Sequence, residues 1–189
     1  MTTDLDKFDL IIFGDFGVLT NTPFRDRQPL AMLPGRVELL KELRQDRVRR
    51  SGTAVRYAVT GNKGGVAFGL QSEEQAEAEV RWTAEQIGAT CYRVCFAHPT
   101  PAAGFEHYAD PDELKRRKPA PLMLEEIIAE VSIPRERVLV VGTYADDCRA
   151  AQAAGLAWMP TGSFFEQSMT AEARAKEDFD PFLDADELP

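Results

Sequence analysis

The run IIFGDFGVLT at residues 11–20 ends an apolar stretch on a single acid, Asp15, two residues before Gly17. A carboxylate where a buried strand gives way to a loop is placed for nucleophilic or acid–base chemistry. The plainer reading is a solvent-facing residue or a turn former at the strand end. GNKGG at 61–65 is a glycine-rich turn, and backbone N–H groups around Gly17, Gly61-Asn62 and Gly64-Gly65 suit an anion cradle. Asp146 and Asp147 follow another apolar run, VLVVG. Cys95, His98, His107 and Asp110 gather both histidines of the chain near a cysteine and an acid, a legitimate zinc ligand set. The alternative there is a buried cysteine with two surface histidines.

These residues need elements to hold them. FDLIIF (8–13), AVRYAVT (54–60), TCYRVCFA (90–97), RVLVVG (137–142) and LAWMP (156–160) read as buried strands. Between them lie helical patterns. Residues 35–47 carry Val37, Leu39, Leu40 and Leu43 at helical spacing, and RRSGT breaks that helix. Residues 72–87 form a polar helix with Ser72 as N-cap and Gln75 completing a capping box. A third helix is expected over 119–131, beginning at Pro119, and a fourth over ADDCRAAQAAG with its glycine stop. A short helix is expected near 170–177. Strands alternating with helices imply a mainly parallel sheet covered on both faces, a Rossmann-like α/β three-layer sandwich without a large cap domain. In such sheets ligands lie beyond the carboxyl ends of the strands. The loops at 14–20, 60–65, 97–118 and 142–147 are therefore where chemistry is expected, and the long segment 98–118 needs a reason to exist.

Composition narrows the classes of function. The 189 residues suit one domain, and a formal net charge of −9 argues against nucleic acid as the main partner. No apolar run approaches the roughly 20 residues of a membrane helix. The opening MTTDLDKFDL lacks the basic and apolar regions of a signal peptide. Three cysteines without regular spacing (Cys91, Cys95 and Cys148) fit a reducing compartment, so a cytoplasmic protein is expected. Cys91 and Cys148 are read as small hydrophobes.

Five segments in order, IIFGDFGVLTN, LPGRVELLKEL, VTGNKGGVAFGL, RKPAPLMLEE and VLVVGTYADDCRAAQAAG, resemble the haloacid dehalogenase (HAD) superfamily over most of residues 8–160. The resemblance is to the small-cap subgroup of histidinol-phosphate and heptose-bisphosphate phosphatases. It implies one HAD-like domain over 1–189, with 98–118 in place of the zinc loop or small cap and an acidic extension over 163–189. The family's first motif has an aspartate nucleophile, one residue, an aspartate acid/base, then Gly-Val-Leu. Aligned on Gly17-Val18-Leu19, Gly14 stands at the nucleophile and Phe16 at the acid/base, with Asp15 between them. Aligned on Gly65-Val66-Ala67, Gly61 stands where the second motif has Thr or Ser, and Asn62 matches. One residue inserted after Thr60 would put Thr60 there instead. The third-motif lysine is Lys118. In the fourth motif Thr143 replaces the metal-binding acid and Asp147 is retained. The zinc-loop positions read Cys95, Ala97, Leu114 and Arg116, one ligand of the usual four.

Glycine supplies no carboxylate to attack phosphorus, and phenylalanine exchanges no proton. Magnesium loses two anionic ligands, at 14 and 143. The resemblance thus implies a phosphatase-like pseudoenzyme that binds a phosphorylated ligand through Gly17, Gly61, Asn62 and Lys118, or a protein partner, with no cofactor. Two other readings stand beside it. One is an active magnesium-dependent phosphohydrolase rearranged around Asp15, Asp146, Asp147 and Lys118. The other is an interaction subunit using 45–53 or the acidic tail.

Overall fold

The computed structural model describes residues 5–21 and 28–168. Five strands form one sheet: β1 (Leu10–Gly14), β2 (Arg56–Asn62), β3 (Cys91–Cys95), β4 (Val138–Gly142) and β5 (Ala157–Pro160). Their spatial order is β3-β2-β1-β4-β5 and every pairing is parallel. The helices are α1 (Arg36–Ser51), α2 (Glu73–Gln86), α3 (Leu122–Val131), α4 (Ala145–Ala153) and α5 (Thr161–Ser168).

Side chains alternate across each strand, so the sheet sorts its residues into two cores. Ile11, Phe13, Tyr57, Val59, Leu139 and Val141 pack with Leu39 and Leu40 of α1, Val80 and Ala84 of α2, and Phe164 and Phe165 of α5. Leu10, Ile12, Ala58, Val138 and Val140 pack with Leu124, Ile127 and Val131 of α3 and Ala150 and Ala151 of α4. Burial on both faces explains why the strands read as near-continuous apolar runs. The three-layer sandwich follows directly.

Local signals set the ends of elements. The Ser72 hydroxyl accepts from the Gln75 N–H at 3.1 Å while the Gln75 side chain accepts from the Ser72 N–H at 3.0 Å. That capping box satisfies two donors at the start of α2. Helix α1 runs to Ser51, four residues past its expected end, and stops at Gly52 with φ of 72°. Arg47 supports the extra turn: it is buried, its Nη1 donates to Phe8 O at 3.3 Å and its Nη2 to Asp9 Oδ1 at 3.1 Å. The third helix begins at Leu122 rather than Pro119. The expected helix near 170–177 lies outside the described residues, and α5 over 161–168 is an element the sequence patterns did not predict. Among the described residues no helix is long and apolar enough to cross a membrane.

Asp9 ties β1 to α1 and to the approach to β4, because Arg137 also donates to its carboxylate. The Arg137 hydrogen bond holds the Asp9 carboxyl below its ordinary value of 3.8, against the opposing effect of burial. A depressed carboxylate contributes stability above its unfolded pKa and loses it as pH falls through the folded one. Asp9→Asn is therefore expected to cost on the order of 1 kcal/mol at neutral pH, the partial exposure of the carboxylate keeping the effect small. The difference should vanish in acid by about pH 2, which urea denaturation at both pH values checks.

The chain builds outward from β1 to β2 and β3, then crosses back to β4 and β5. The direction of winding therefore reverses between β1 and β4, and the crevice opens at their carboxyl ends. Gly14 and Gly142 stand at that point.

Candidate active site

Gly14 lies beside Thr60 in the parallel register of β1 and β2. A Cβ at Gly14 would stand 3.6 Å from both carboxylate oxygens of Asp147 and 3.1 Å from Val18 Cγ2. Position 14 thus faces Asp147, which pairs with Lys118 at 2.7 Å. The Lys118 ammonium also reaches Thr60 Oγ1 at 3.2 Å and Thr60 O at 3.3 Å. Its three N–H donors meet three acceptors, one of them charged. Lys118 is 5% and Asp147 3% exposed, so the pair is closed off from water.

This corrects the expectation for the second motif. The hydroxyl beside Lys118 belongs to Thr60. Gly61 is the next residue on β2 and points to the opposite face, where a Cβ would meet Val80 Cγ2 at 2.9 Å and Asp15 Oδ2 at 3.0 Å. Counting back from Gly65-Val66-Ala67 lands on Gly61, one residue past the threonine that meets Lys118. Gly61→Ala should cost about 1–3 kcal/mol through overpacking. Chemical denaturation measures this, and a variant as stable as the parent would contradict the placement.

Gly17 and Asn62, expected to bind phosphate, have protein partners in this structure. The Gly17 N–H donates to Thr20 O at 2.8 Å, and its carbonyl accepts from Thr143 Oγ1 at 2.7 Å. The Asn62 amide brackets the Lys118 backbone, accepting its N–H at 3.1 Å and donating to its carbonyl at 2.9 Å. Asn62 therefore holds the Lys118 backbone in place.

Asp15 does not join Lys118. Its Oδ2 lies 2.8 Å from Lys63 Nζ, and Glu79 Oε2 of α2 lies 2.9 Å from the same nitrogen. Lys63 is 2% exposed and Asp15 5%, with the Phe16 ring centroid 3.4 Å from the ammonium. Strand alternation explains the split: 14, 60 and Lys118 share one side, while 15, 61 and 63 share the other. Lys63 and Glu79 were missed by motif reading. Lys63 has the same parity as Gly61, a signal usable only once Gly14 is paired with Thr60.

The metal expectations are answered by donor chemistry. Asp146 pairs with Arg149 at 2.6 Å, and Asp147 is held by Lys118 and by the Tyr144 N–H at 3.1 Å. Thr143 bonds Thr161 Oγ1 at 2.9 Å as well as Gly17. Among the described residues no three His, Cys, Asp or Glu side chains converge to hold a metal. Magnesium asks for several hard anionic oxygens, and a neutral threonine, a glycine and a lysine-paired aspartate do not fit it.

The proposed zinc ligands are likewise apart. Cys95 is buried and its Sγ lies 3.6 Å from Glu113 O, and burial pushes the thiol's pKa up, away from the thiolate a metal wants. His98 packs edge-on to Phe68 at 4.8 Å, His107 lies 4.1 Å from the Tyr108 ring, and Asp110 caps the one-turn helix Pro111–Leu114. Phe105 completes this ring cluster, which fastens the 98–118 segment where the residue types alone suggested a zinc ligand set.

The family model for HAD-hydrolase-like proteins matches residues 115–182, which include Lys118 and Asp147. The fold is that of the HAD superfamily. Solved structures agree. A Mesorhizobium loti protein assigned as a HAD-like phosphatase shares 20% identity over 85% of this chain and 84% of its own, with a TM-score of 0.62. The D,D-heptose 1,7-bisphosphate phosphatase of B. bronchiseptica, solved with magnesium and phosphate, shares 23% identity over 80% of this chain and 79% of its own, with a TM-score of 0.56. A haloacid dehalogenase-like hydrolase assigned in Bacteroides fragilis gives 12%, 89%, 93% and 0.55. At these identities the likeness is one of fold. No curated protein matches the sequence. At the carboxyl ends of β1, β2 and β4 this chain carries a buried lysine–aspartate pair and a glycine.

Proposed function

We propose that this chain is a phosphatase-fold protein without phosphatase turnover, which binds a small phosphorylated molecule at the carboxyl ends of its strands. The observation that carries the reading is Gly14: this position faces the Lys118-paired carboxylate of Asp147 from the end of β1 and has no side chain. A phosphoryl group arriving there meets no nucleophile. The neighbouring acid, Asp15, is on the far side of the strand and neutralised by Lys63. That placement weighs against a hydrolase rearranged around Asp15. A small phosphorylated ligand is favoured because a protein of similar fold is a heptose-bisphosphate phosphatase bound to phosphate.

The test is a panel of sugar phosphates, nucleotides and 4-nitrophenyl phosphate with magnesium, at high enzyme concentration. Hydrolysis should stay at background. Magnesium-dependent turnover that disappears in Asp15→Asn would overturn the reading and establish the rearranged hydrolase.

A further inference from the structure

Lys118 has no donor left for a ligand, which raises the question of what cation a phosphate would meet. Arg117 is the neighbouring residue, carried on the same loop. Its Nη1 donates to Ala97 O at 2.9 Å, so it bridges toward the end of β3. A Cβ at Gly64, just past β2, would stand 3.0 Å from Arg117 Nη1 and 3.2 Å from His98 Cδ2. The guanidinium and the imidazole therefore meet over the bare backbone of Gly64, at the ligand end of the sheet. Among the described residues no carboxylate lies within ion-pair range of Arg117. Burial pushes its pKa down, and Cys95 and then Asp146 offset this only in part. A guanidinium carries five donors, and a half-buried one without an anion is a costly arrangement that an incoming oxyanion relieves.

Beside this cation stands an open ring. Phe68 is 41% exposed and packs edge-on against His98. The His98 Nδ1 accepts from the Thr100 N–H at 3.2 Å, which leaves the ring proton on Nε2 in the neutral form. Burial and Arg117 lower the His98 pKa and favour that neutral form. Phe68, His98 and Arg117 thus form one ledge: an aromatic face, a neutral donor and an unpaired cation in sequence. Aromatic faces hold planar rings by stacking, and a guanidinium holds phosphate oxygens two at a time.

We infer that the ligand of this site carries a planar aromatic ring as well as a phosphate, as in a nucleoside or aryl monophosphate, with the ring on Phe68 and the phosphate on Arg117. This rests on the ligand-binding reading above and goes beyond it in naming the ligand class. The test is calorimetric titration of the full chain with adenosine 5′-monophosphate, phenyl phosphate, ribose 5-phosphate and inorganic phosphate. The two ring-bearing compounds should bind about tenfold more tightly than ribose 5-phosphate. Phe68→Ala should erase that preference while leaving ribose 5-phosphate binding unchanged, and Arg117→Met should weaken all four compounds. Equal affinity for the ring-bearing and ringless phosphates, or a preference that survives in Phe68→Ala, overturns the inference and leaves the ligand-binding reading standing. Failure of all four compounds to bind overturns both. Phe68 lies at the surface, so Phe68→Ala is expected to fold, and its melting curve confirms that before titration.

Discussion

Lys63→Met should melt roughly 10 °C below the parent protein, reflecting the 3–5 kcal/mol typical of breaking a buried ion pair from one side. The Lys63 side chain is 1% exposed and stands between Asp15, 8% exposed, and Glu79, 24% exposed. Removing the ammonium leaves two carboxylates facing each other with little water to screen them. It also removes the cation over the Phe16 ring. Methionine retains most of the stem volume, so the loss reports charge rather than a void. The double variant Asp15→Asn/Lys63→Met should recover much of the deficit, because an unpaired buried charge costs more than a missing pair. Thermal melts of the three proteins at neutral pH check this. A single variant within about 2 °C of the parent would show that the cluster is open to solvent, contrary to the burial described here.

The second large effect concerns chemistry. The triple variant Gly14→Asp/Phe16→Asp/Thr143→Asp, given magnesium, should hydrolyse 4-nitrophenyl phosphate at least about 100-fold faster than the parent, the lower range of a single acid–base contribution. Thr60 needs no change, since its hydroxyl already stands beside Lys118. Position 14 can take a side chain with a small adjustment at Val18, and its Cβ points at the Asp147 carboxylate. The variant restores a nucleophile and the anionic oxygens that magnesium requires, and it puts at position 16, where the ring lies over Lys63, an acid that has to turn toward the crevice to donate its proton. Gly14→Asn in the same background should stay at the parent's rate, which separates nucleophilic attack from mere metal capture. A triple variant that folds and binds magnesium but shows no turnover would mean that the scaffold has lost more than these side chains.

Much of the architecture is legible from local pattern. Apolar runs flanked by turn residues mark all five strands, and Ser72 with Gln75 marks the start of α2, because both signals act within a few residues. The candidate site was legible only in part. Which side of β1 Asp15 faces depends on how β1 pairs with β2, and the spacing of motifs along the chain does not carry that register. An alignment anchored on Gly65 points to Gly61, whereas the pairing of Gly14 with Thr60 gives the position to Thr60. Lys63 and Glu79 lie 16 residues apart and meet only through the packing of α2 on the sheet. His98 and His107 looked like ligands because residue type alone does not distinguish a metal donor from an aromatic ring at a packing contact.

The two lysine clusters lie on either side of one layer of backbone. Lys118 answers to Asp147 on the α3–α4 side, and Lys63 answers to Asp15 and Glu79 on the α2 side. The sheet is therefore a partition between two electrostatic compartments. A carboxylate moved one step along β1 has not drifted within a site but changed rooms. For the same reason the crevice can be rebuilt at positions 14 and 143 while the compartment behind the wall keeps the strand ends in place.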